Sequence, residues 1–343
     1  MKGLSFFGKA IFFFNSIFAI LLVLGYALPY IPPHIFPRLS VLSLLLPVLL
    51  LINAVFLIYW VLRGKRQLFL SAFVLIIGIG HISSLYHFGN TKSEAGVEGV
   101  KLLSYNVRSF NIHGWSKQEN VGDRIIEFIS QKDPDIVCLQ EYYPKYSLSK
   151  DQYPYQYKKM SEISKSFGQV IYSKFPIVTT GSLDFYKTGN NVIYADVVVN
   201  NDTIRVYNVH FQSLRVSPKF GTFNEEGSKR LLGRMGESFK KQEEQVMQFL
   251  ESEKKSPYPV IVAGDFNNSS TSYMYRKIRG TKQDAYEKSG SGTGRSFTFD
   301  FIPLRIDFIL ADPKFEILQF KNYNIKLSDH YPIESSINKD FKF

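Results

Sequence analysis

Long apolar stretches dominate the first quarter of the chain. Three of them come close to the ~20 residues that a helix needs to cross a bilayer. They cover roughly 6–28, 39–62 and 68–88. Residues 1–90 also contain no Asp or Glu. We therefore predict a membrane anchor of three transmembrane helices over 1–90, a polar linker over 91–99 and a second domain over 100–343.

Shorter apolar runs, rich in β-branched and aromatic residues, follow after residue 100 and have the pattern of β-strands. They cover 101–107, 135–140, 168–172, 192–199, 203–209, 259–263, 305–310 and 315–320. Two other segments, 120–132 and roughly 228–252, have apolar residues at helical spacing. Strands outnumber helices, so the second domain is predicted to be mixed α/β with enough strands for two sheets.

Polar side chains recur at or near the ends of these runs. They are Asn106, Glu141, His210, Asp265, Asn267, Asp307, Asp329 and His330. A single polar residue at a strand end is ordinary. Their repetition indicates a shared rim, and we therefore predict a catalytic domain.

The residue types at this rim favour one kind of chemistry. Carboxylates such as Glu141, Asp265 and Asp329 are hard oxygen ligands that suit Mg²⁺ or Mn²⁺, whereas zinc would favour His and Cys. In the adjacent Asp329-His330 pair, the carboxylate can bind metal while the imidazole transfers a proton or stabilises charge. Asp307 could hold the His330 imidazole in one tautomer. Such a set suits the attack of water on a phosphorus centre.

The motifs around these residues occur in a fixed order over about 100–337. They are Ser104-Tyr105-Asn106-Val107, Leu139-Gln140-Glu141, the stretch 168–177, Asn208-Val209-His210, Gly264-Asp265-Phe266-Asn267, Arg305-Ile306-Asp307-Phe308-Ile309 and Ser328-Asp329-His330-Tyr331-Pro332-Ile333. In sequence and order they resemble the endonuclease/exonuclease/phosphatase superfamily. That group includes DNase I-like nucleases, abasic-site endonucleases, inositol-phosphate phosphatases and bacterial sphingomyelinases. The resemblance implies a four-layer α/β sandwich (DNase I-like) with the site at one edge.

The resemblance also implies a ligand set. Glu141 looks like the main Mg²⁺ ligand, with Mn²⁺ as the alternative ion. Asn106 and Asp329 resemble residues that help to hold the metal or the phosphate.

Catalytic roles are implied in the same way. Asp265 resembles the residue that orients or deprotonates the attacking water, and Asn267 resembles a phosphate contact. His330 resembles the histidine that is paired with an acid, here Asp307. His210 matches a second histidine of DNase I-like and sphingomyelinase-like members, which would protonate the leaving group or bind the phosphate. The resemblance leaves open which residue is the general base.

Charge and cysteine content add two limits. The formal net charge is +11, yet residues 1–90 hold six basic residues and no acidic ones, so the rest carries 35 basic and 30 acidic side chains. This mild excess suits an anionic substrate, but the basic, aromatic stripe of a dedicated nucleic-acid binder is not evident. The single cysteine, Cys138, excludes an internal disulfide framework and, within an apolar run, is predicted to be a buried thiol.

The basic residues of the anchor predict its orientation. They concentrate at Lys2, Lys9, Arg63, Lys65 and Arg66, whereas the Pro-rich connection 29–40 has only Arg38. The positive-inside rule then places the second domain outside the cytoplasm, and we expect a bacterial inner-membrane protein with a periplasmic domain. If the first stretch were a cleaved signal peptide the domain would face the same side, but Ala27-Leu28-Pro29 is a poor cleavage site.

Two further segments and two histidines of the anchor are candidates for a functional role. The segment 211–240 contains Arg215, Lys219, Lys229, Arg230 and Arg234, and predicts either a basic lid that meets phosphate groups or the solvated approach to helix 228–252. The Gly-rich tract 290–295 is predicted to be a flexible loop. It lacks P-loop spacing, so it is assigned no nucleotide site. His81 and His87 could be functional, although interfacial packing is the favoured interpretation.

Together these patterns predict a membrane-anchored, Mg²⁺-dependent phosphoesterase that hydrolyses phosphodiester or phosphomonoester bonds. The expected partners are the lipid bilayer and a phosphate-ester substrate, either a lipid head group or nucleic acid, and no protein partner is predicted. One alternative is an extracytoplasmic DNase I-like nuclease. Another is a catalytically silent binding module, which the intact polar residues at every motif disfavour.

Overall fold

A computed structural model of the protein describes residues 4–89, 99–214, 225–299 and 302–338. The predicted linker lies outside the described residues except for Gly99, as do Lys2 of the anchor and Arg215 and Lys219 of the segment 211–240.

The apolar N-terminal quarter forms five α-helices. They are α1 (Phe6–Ala27), α2 (Pro37–Val41), α3 (Leu46–Leu62), α4 (Leu68–Ile77) and α5 (Ile79–Leu85). A 3₁₀ turn, Leu42–Leu45, joins α2 to α3. In the described chain, Phe6–Tyr30 and Pro37–Leu62 are long and apolar enough to cross a membrane, and α4 with α5 would add a third span if counted together. The membrane anchor predicted from the sequence is therefore plausible.

The third apolar stretch differs from the single helix predicted over 68–88, because α4 and α5 meet at an angle of 70°. Gly78 lies at the break, and a Cβ atom there would overlap the ring of Tyr26. The Tyr26 hydroxyl donates a hydrogen bond to the Val74 carbonyl (2.9 Å), and its ring stacks on that of His81. The bend therefore accommodates an aromatic side chain of α1, and His81 has the packing role favoured for it.

After residue 99 the described chain contains fourteen strands. They are β1 (Val100–Asn106), β2 (Ile136–Tyr142), β3 (Tyr155–Met160), β4 (Gly168–Ser173), β5 (Ile177–Ser182), β6 (Asn191–Val199), β7 (Asp202–His210), β8 (Val260–Asp265), β9 (Gln283–Asp284), β10 (Phe297–Phe299), β11 (Ile302–Leu304), β12 (Asp307–Ala311), β13 (Ile317–Asn322) and β14 (Ile333–Ile337). Four helices accompany them: α6 (Val121–Lys132), α7 (Glu225–Lys254), α8 (Tyr273–Arg279) and α9 (Ala285–Ser289).

Twelve of these strands form two six-stranded sheets. The first has the order β13-β14-β1-β2-β4-β3, the second has the order β5-β6-β7-β8-β12-β9, and β10 with β11 forms a separate hairpin. Among the described pairs, β1 is parallel to β2 and β7 is parallel to β8, whereas the others are antiparallel. The mixed α/β class and the two sheets predicted from the sequence are confirmed.

The layers follow from which face each element buries. Apolar side chains between the sheets form one core that includes Leu102, Cys138 and Val206. α6 covers the outer face of the first sheet, with Ile125 and Ile129 one turn apart in a second core. α7 and α8 cover the outer face of the second sheet. The result is the four-layer α/β sandwich that the resemblance implied. Cys138 lies in the core between the sheets, and its burial raises the pKa of the thiol well above its usual range.

A buried polar network joins the two sheets below the carboxyl ends of β2 and β7. Asn208 of β7 donates from Nδ2 to the carbonyls of Leu139 (2.9 Å) and Val170 (3.0 Å) in the first sheet. Its Oδ1 accepts a hydrogen bond from Gln140 Nε2 (2.7 Å). Asn208, two residues before His210, thus links the two sheets through three side-chain hydrogen bonds.

Replacing Asn208 with alanine should lower the free energy of unfolding by about 3 kcal/mol, because it leaves buried carbonyls and an amide without partners. Thermal unfolding of the purified full-length protein in detergent measures this as a lower Tm. Asn191→Ala is the matched control, since Asn191 is only partly buried and binds Ser182 at a sheet edge. An equal fall in Tm for both variants would contradict a special role for Asn208.

Candidate active site

The carboxyl ends of the two parallel strand pairs meet at one edge of the sandwich. Asn106 and Glu141 lie at or next to the ends of β1 and β2, and His210 pairs in register with Asp265 at the ends of β7 and β8. Asp307, at the start of the antiparallel β12, pairs in register with Asp265. The sheets come close enough for Asn106 Nδ2 to donate to Asp265 Oδ2 across the gap (3.0 Å). The structure therefore brings the predicted strand-end residues together.

Asp265 is the centre of this group and is almost fully buried. Its Oδ1 accepts from the Asn267 backbone N–H (2.7 Å), and its Oδ2 accepts from Asn267 Nδ2 (3.1 Å) as well as from Asn106. The Nε2 atoms of His210 and His330 each lie 3.7 Å from Oδ2. Burial outweighs the opposing charge of His330 and raises the pKa of Asp265 to about 7. A carboxyl group tuned in this way can exchange a proton near neutral pH.

Asp307 and His330 form a buried hydrogen-bonded pair. Asp307 Oδ2 lies 2.9 Å from His330 Nδ1, and the edge of the imidazole packs on Phe297. Burial alone would lower the pKa of His330, but Asp307 and Asp265 outweigh it and raise the pKa to about 10. Arg305, two residues before Asp307, does not pair with it but with Asp284 (2.7 Å). The carboxylate thus fixes the imidazole as the sequence suggested.

His210 occupies the opposite side of the Asp265 carboxylate. Its Nε2 lies 3.8 Å from Glu141 Oε1 and 3.7 Å from Asp265 Oδ2. Burial, and then the charge of His330, lower the pKa of His210 to about 4. We therefore treat His210 as neutral at pH 7 and its contacts with the two carboxylates as dipolar rather than ionic.

Glu141 offers the most accessible carboxylate of the site, with a third of its side-chain surface exposed. It has a positive φ of 49°, where the register between β2 and β4 shifts, so the strand turns at this position. Burial raises the pKa of Glu141. Asn106 Nδ2 lies 3.3 Å from Glu141 Oε1, while Asn106 Oδ1 accepts from the backbone of Arg108. Asn106 is therefore oriented as a hydrogen-bond donor to both carboxylates.

Two sets of side chains have the chemistry to hold a metal ion. One is Glu141 with the neighbouring acid Asp329, whose negative charge adds to the effect of burial in raising the pKa of Glu141. The other is Asp265, Asp307 and His330, whose ligand atoms all lie within 4.8 Å of one another. Asp307 Oδ1 is buried without a hydrogen-bond partner among the described residues. Hard oxygen atoms in this partly buried cluster fit a divalent cation.

Arg108 belongs to the same rim but was missed from the sequence. Its Nη1 pairs with Asp329 Oδ2 (2.8 Å), and its guanidinium lies over the Trp115 ring, 4.8 Å from the centroid. A partly exposed cation beside the acidic group is suited to an anionic substrate. Its position two residues after Asn106, just beyond the end of β1, is the sequence feature that could have identified it.

The segment 211–240 divides between described and undescribed residues. The described part leads from β7 into α7, which begins at Glu225 rather than near 228 and ends at Lys254. Lys229, Arg230 and Arg234 lie on the first turns of this helix and are exposed. The choice between a lid and a solvated helix start therefore stays a prediction.

Two family models match the chain. Residues 8–85 match a model described as Domain of unknown function (DUF8431). Residues 103–330 match the model of the Endonuclease/Exonuclease/phosphatase family. No curated protein sequence matches the chain.

Solved structures share the fold of the second domain. One is an endonuclease/exonuclease/phosphatase from Bacteroides vulgatus (TM-score 0.52, 19% identity, covering 70% of this chain and 99% of that chain). Another is D. rerio TDP2 complexed with single strand DNA product (TM-score 0.53, 15% identity, covering 70% and 99%). A third is the mannosyl-6-phosphatase Bt3783 of Bacteroides thetaiotaomicron VPI-5482 (TM-score 0.50, 19% identity, covering 69% and 99%). At these identities the likeness concerns the fold alone.

Proposed function

Because this chain belongs to the endonuclease/exonuclease/phosphatase family, whose members are metal-dependent phosphoesterases, we propose that it hydrolyses phosphodiester or phosphomonoester bonds at the cluster around Asp265. One observation carries the proposal. A single buried carboxylate is held by Asn106 and Asn267 and lies 3.7 Å from two imidazoles. Groups so arranged can position a water molecule, take its proton and stabilise charge on phosphorus.

A divalent cation would be held mainly by Glu141, with Asp329 and Asn106 assisting, and we favour Mg²⁺ over Mn²⁺. When bound, it would neutralise phosphate charge and polarise the ester. The partial exposure of Glu141 supports this assignment, because Mg²⁺ keeps several waters and needs only one or two protein carboxylates. Asn106 would turn its oxygen from Arg108 to contribute a ligand atom.

The remaining side chains have separate tasks in this proposal. Asp265 orients and deprotonates the attacking water, and Asn267 contacts the phosphate. His330, fixed by Asp307, stabilises the charge that develops on the phosphate oxygens. His210, neutral at pH 7, donates a hydrogen bond to the leaving oxygen or binds the phosphate. Buried partners hold Asp265, Asn267 and His330 in place, which favours accurate positioning of the reacting groups.

The proposed substrate class includes lipid head groups and nucleic acid. An extracytoplasmic nuclease is the second candidate, and the likeness of the fold to TDP2 in complex with single strand DNA product supports it. A silent binding module is disfavoured, because the polar residues of six motifs, from Asn106 to His330, meet at one site.

The test uses the full chain, purified in detergent, with and without EDTA, and with Mg²⁺ or Mn²⁺ added back. The substrates are bis-p-nitrophenyl phosphate, single- and double-stranded DNA, RNA, sphingomyelin-type lipids and inositol phosphates. We expect hydrolysis of at least one class, lost with EDTA and restored by Mg²⁺. Silence across the panel with Mg²⁺ present would overturn the proposed activity.

We further propose that residues 1–90 anchor the protein in a bacterial inner membrane, with the catalytic domain in the periplasm. The catalytic domain contacts the ends of the apolar helices at Pro29 and Ser84. Lys9 and Arg63 lie at the other ends of α1 and α3. The positive-inside rule therefore supports an extracytoplasmic catalytic domain.

Labelling of single cysteines in intact cells tests this orientation. A membrane-impermeant maleimide should modify Lys150→Cys, at an exposed position of the catalytic domain, without cell lysis. Gln67→Cys, in the turn before α4, should react only after permeabilisation. The unmodified protein is the background control, since its single thiol, Cys138, is buried. The reverse labelling pattern would overturn the proposed topology.

A further inference from the structure

The membrane anchor packs directly on the catalytic domain. Val41 of α2 lies in the same apolar cluster as Met235 and Phe239 of α7. Beside it, the backbone N–H of His34 donates to Glu243 Oε2 (2.7 Å), and the His34 ring contacts Glu243 Oε1 (2.8 Å). A simple tether would not require such contacts.

A buried cation fixes the second point of attachment. Arg305, two residues before Asp307, donates from Nη2 to the carbonyl of Ser84 in α5 (2.8 Å). Its Nη1 pairs with Asp284 (2.7 Å), and its guanidinium lies between aromatic rings. Undocking would take the Ser84 carbonyl away from this buried charged donor while Asp284 stayed in place, and the loss of a hydrogen bond to a buried charge is costly. The two parts therefore keep one relative orientation.

A third set of contacts reaches the loop that leaves the active site. Thr271 Oγ1 donates to the carbonyl of Ser43 (3.0 Å), and the hydroxyls of Ser270 and Ser84 lie 3.2 Å apart. Thr271 follows Asp265 by six residues, which span at most about 20 Å even when fully extended. Asp265 therefore lies within roughly 20 Å of Ser43 in the anchor.

The length of the membrane-spanning segment indicates how deep in the bilayer the contact at Ser43 lies. Pro37–Leu62 comprises 26 residues. At about 1.5 Å per residue this helical segment exceeds a hydrocarbon core of about 30 Å. The excess is about 9 Å, or about six residues, so residues 37–42 can reach the head-group layer and Ser43 lies at its border.

Exposed apolar side chains surround the same end of the anchor. Tyr30, Ile35, Phe36 and Phe88 are 61%, 54%, 55% and 85% exposed. Aromatic and apolar residues at this depth are typical of the membrane–water interface. Arg276 of α8 lies over the Tyr30 ring and donates to the Pro29 carbonyl, which keeps the catalytic domain against this layer.

From this geometry we infer that the substrate is a phosphate ester carried by a lipid of the same bilayer. The inference rests on the proposed phosphoesterase function and narrows its substrate class. Water adds to the phosphorus atom, one P–O ester bond breaks, and the leaving oxygen takes a proton. The lipid keeps its apolar chains in the bilayer while its phosphate reaches the site.

The test uses the full chain in nanodiscs of phosphatidylethanolamine and phosphatidylglycerol with Mg²⁺. Release of water-soluble head-group products is compared for lipid in the same nanodisc and for lipid in separate protein-free vesicles. Bis-p-nitrophenyl phosphate and single-stranded DNA are measured in the same preparation. We expect lipid turnover in the same disc to exceed that in separate vesicles by about tenfold or more, since holding the reacting groups together favours the reaction.

A matched pair of variants tests the docking itself. Glu243→Ala with Arg276→Ala removes two anchor contacts, whereas Glu244→Ala with Arg279→Ala changes the same residue types on the same helices. Arg279 binds Glu287, and Glu244 is exposed. The first variant should lose lipid turnover while hydrolysis of bis-p-nitrophenyl phosphate persists, and the control should retain both.

The outcomes separate the inference from the function on which it rests. Hydrolysis of bis-p-nitrophenyl phosphate without any lipid turnover would overturn the lipid substrate and leave the phosphoesterase intact. Preference for single-stranded DNA over lipid would assign the site to nucleic acid and also overturn the inference. Silence on every substrate would overturn the proposed function, and the inference would fall with it.

Discussion

Replacing Asp265 with alanine is expected to lower kcat/KM for phosphate ester hydrolysis by about 10²–10⁴-fold, the usual contribution of a positioned general base. Asp265 is the one carboxylate that Asn106, Asn267 and both imidazoles approach together. Its loss removes the group that orients the attacking water. The measurement is steady-state hydrolysis of bis-p-nitrophenyl phosphate by the full chain at saturating Mg²⁺.

The fold of the Asp265→Ala variant should survive, because Asp307 still pairs with His330 and the cost of burying the Asp265 carboxylate offsets much of what its contacts contribute. Asp196→Asn provides a contrast. Asp196 is equally buried but pairs with Arg205 (2.7 and 2.8 Å) away from the site, so its replacement should lower Tm and leave the turnover of folded protein unchanged. If Asp265→Ala kept its activity, the proposed site would be wrong.

Replacing Asp307 with asparagine is expected to lower kcat by about 10²–10⁴-fold with little change in KM, because it removes the negative charge that raises the pKa of His330 and lets an amide hydrogen-bond to Nδ1 instead. The reason lies in the 2.9 Å contact between Asp307 Oδ2 and His330 Nδ1. His330→Gln should have a similar effect. Kinetic measurements at fixed Mg²⁺ separate kcat from KM.

The double variant tests whether the two residues act as one unit. If Asp307 works through His330, adding Asp307→Asn to His330→Gln should cost little more than the single change. Multiplicative losses would show that Asp307 has an independent role. Binding of the metal by the Asp265, Asp307 and His330 group would be one such role.

Much of the site could be predicted because its residues follow buried strands. Glu141, His210 and Asp265 each terminate an apolar run, and the carboxyl ends of parallel strands share an edge. The pairing of Asp307 with His330 could also be proposed from the sequence, because both residues lie in motifs that occur in a fixed order. Side-chain orientation could not be predicted, so the hydrogen-bond donor geometry of Asn106 became evident only in the structure.

Other features could not be predicted, because no local sequence pattern marks them. β14 lies between β13 and β1, yet its Glu334, Ser335 and Ser336 break the apolar alternation that marks a strand, and they are buried nonetheless. The bend at Gly78 depends on Tyr26, more than 50 residues away. The docking of the anchor depends on single hydrogen bonds such as that between Arg305 and Ser84.

The Gly-rich tract 290–295 illustrates the same limit. Composition favoured a flexible loop, but Gly292 and His87 exchange backbone hydrogen bonds of 2.9 Å. The tract is therefore part of the contact between the N-terminal helices and the α/β part of the chain. His87 likewise has a packing role, as its ring lies against Tyr286.

The most direct test of the metal-dependent site is a Mg²⁺ titration of bis-p-nitrophenyl phosphate hydrolysis by the full chain and by Glu141→Gln. We predict no activity in EDTA, saturable activation of the unmodified chain, and a requirement for far more Mg²⁺ in the variant. Activity that persists in EDTA, or the same Mg²⁺ dependence for both proteins, would contradict the assignment of Glu141 as the principal metal ligand.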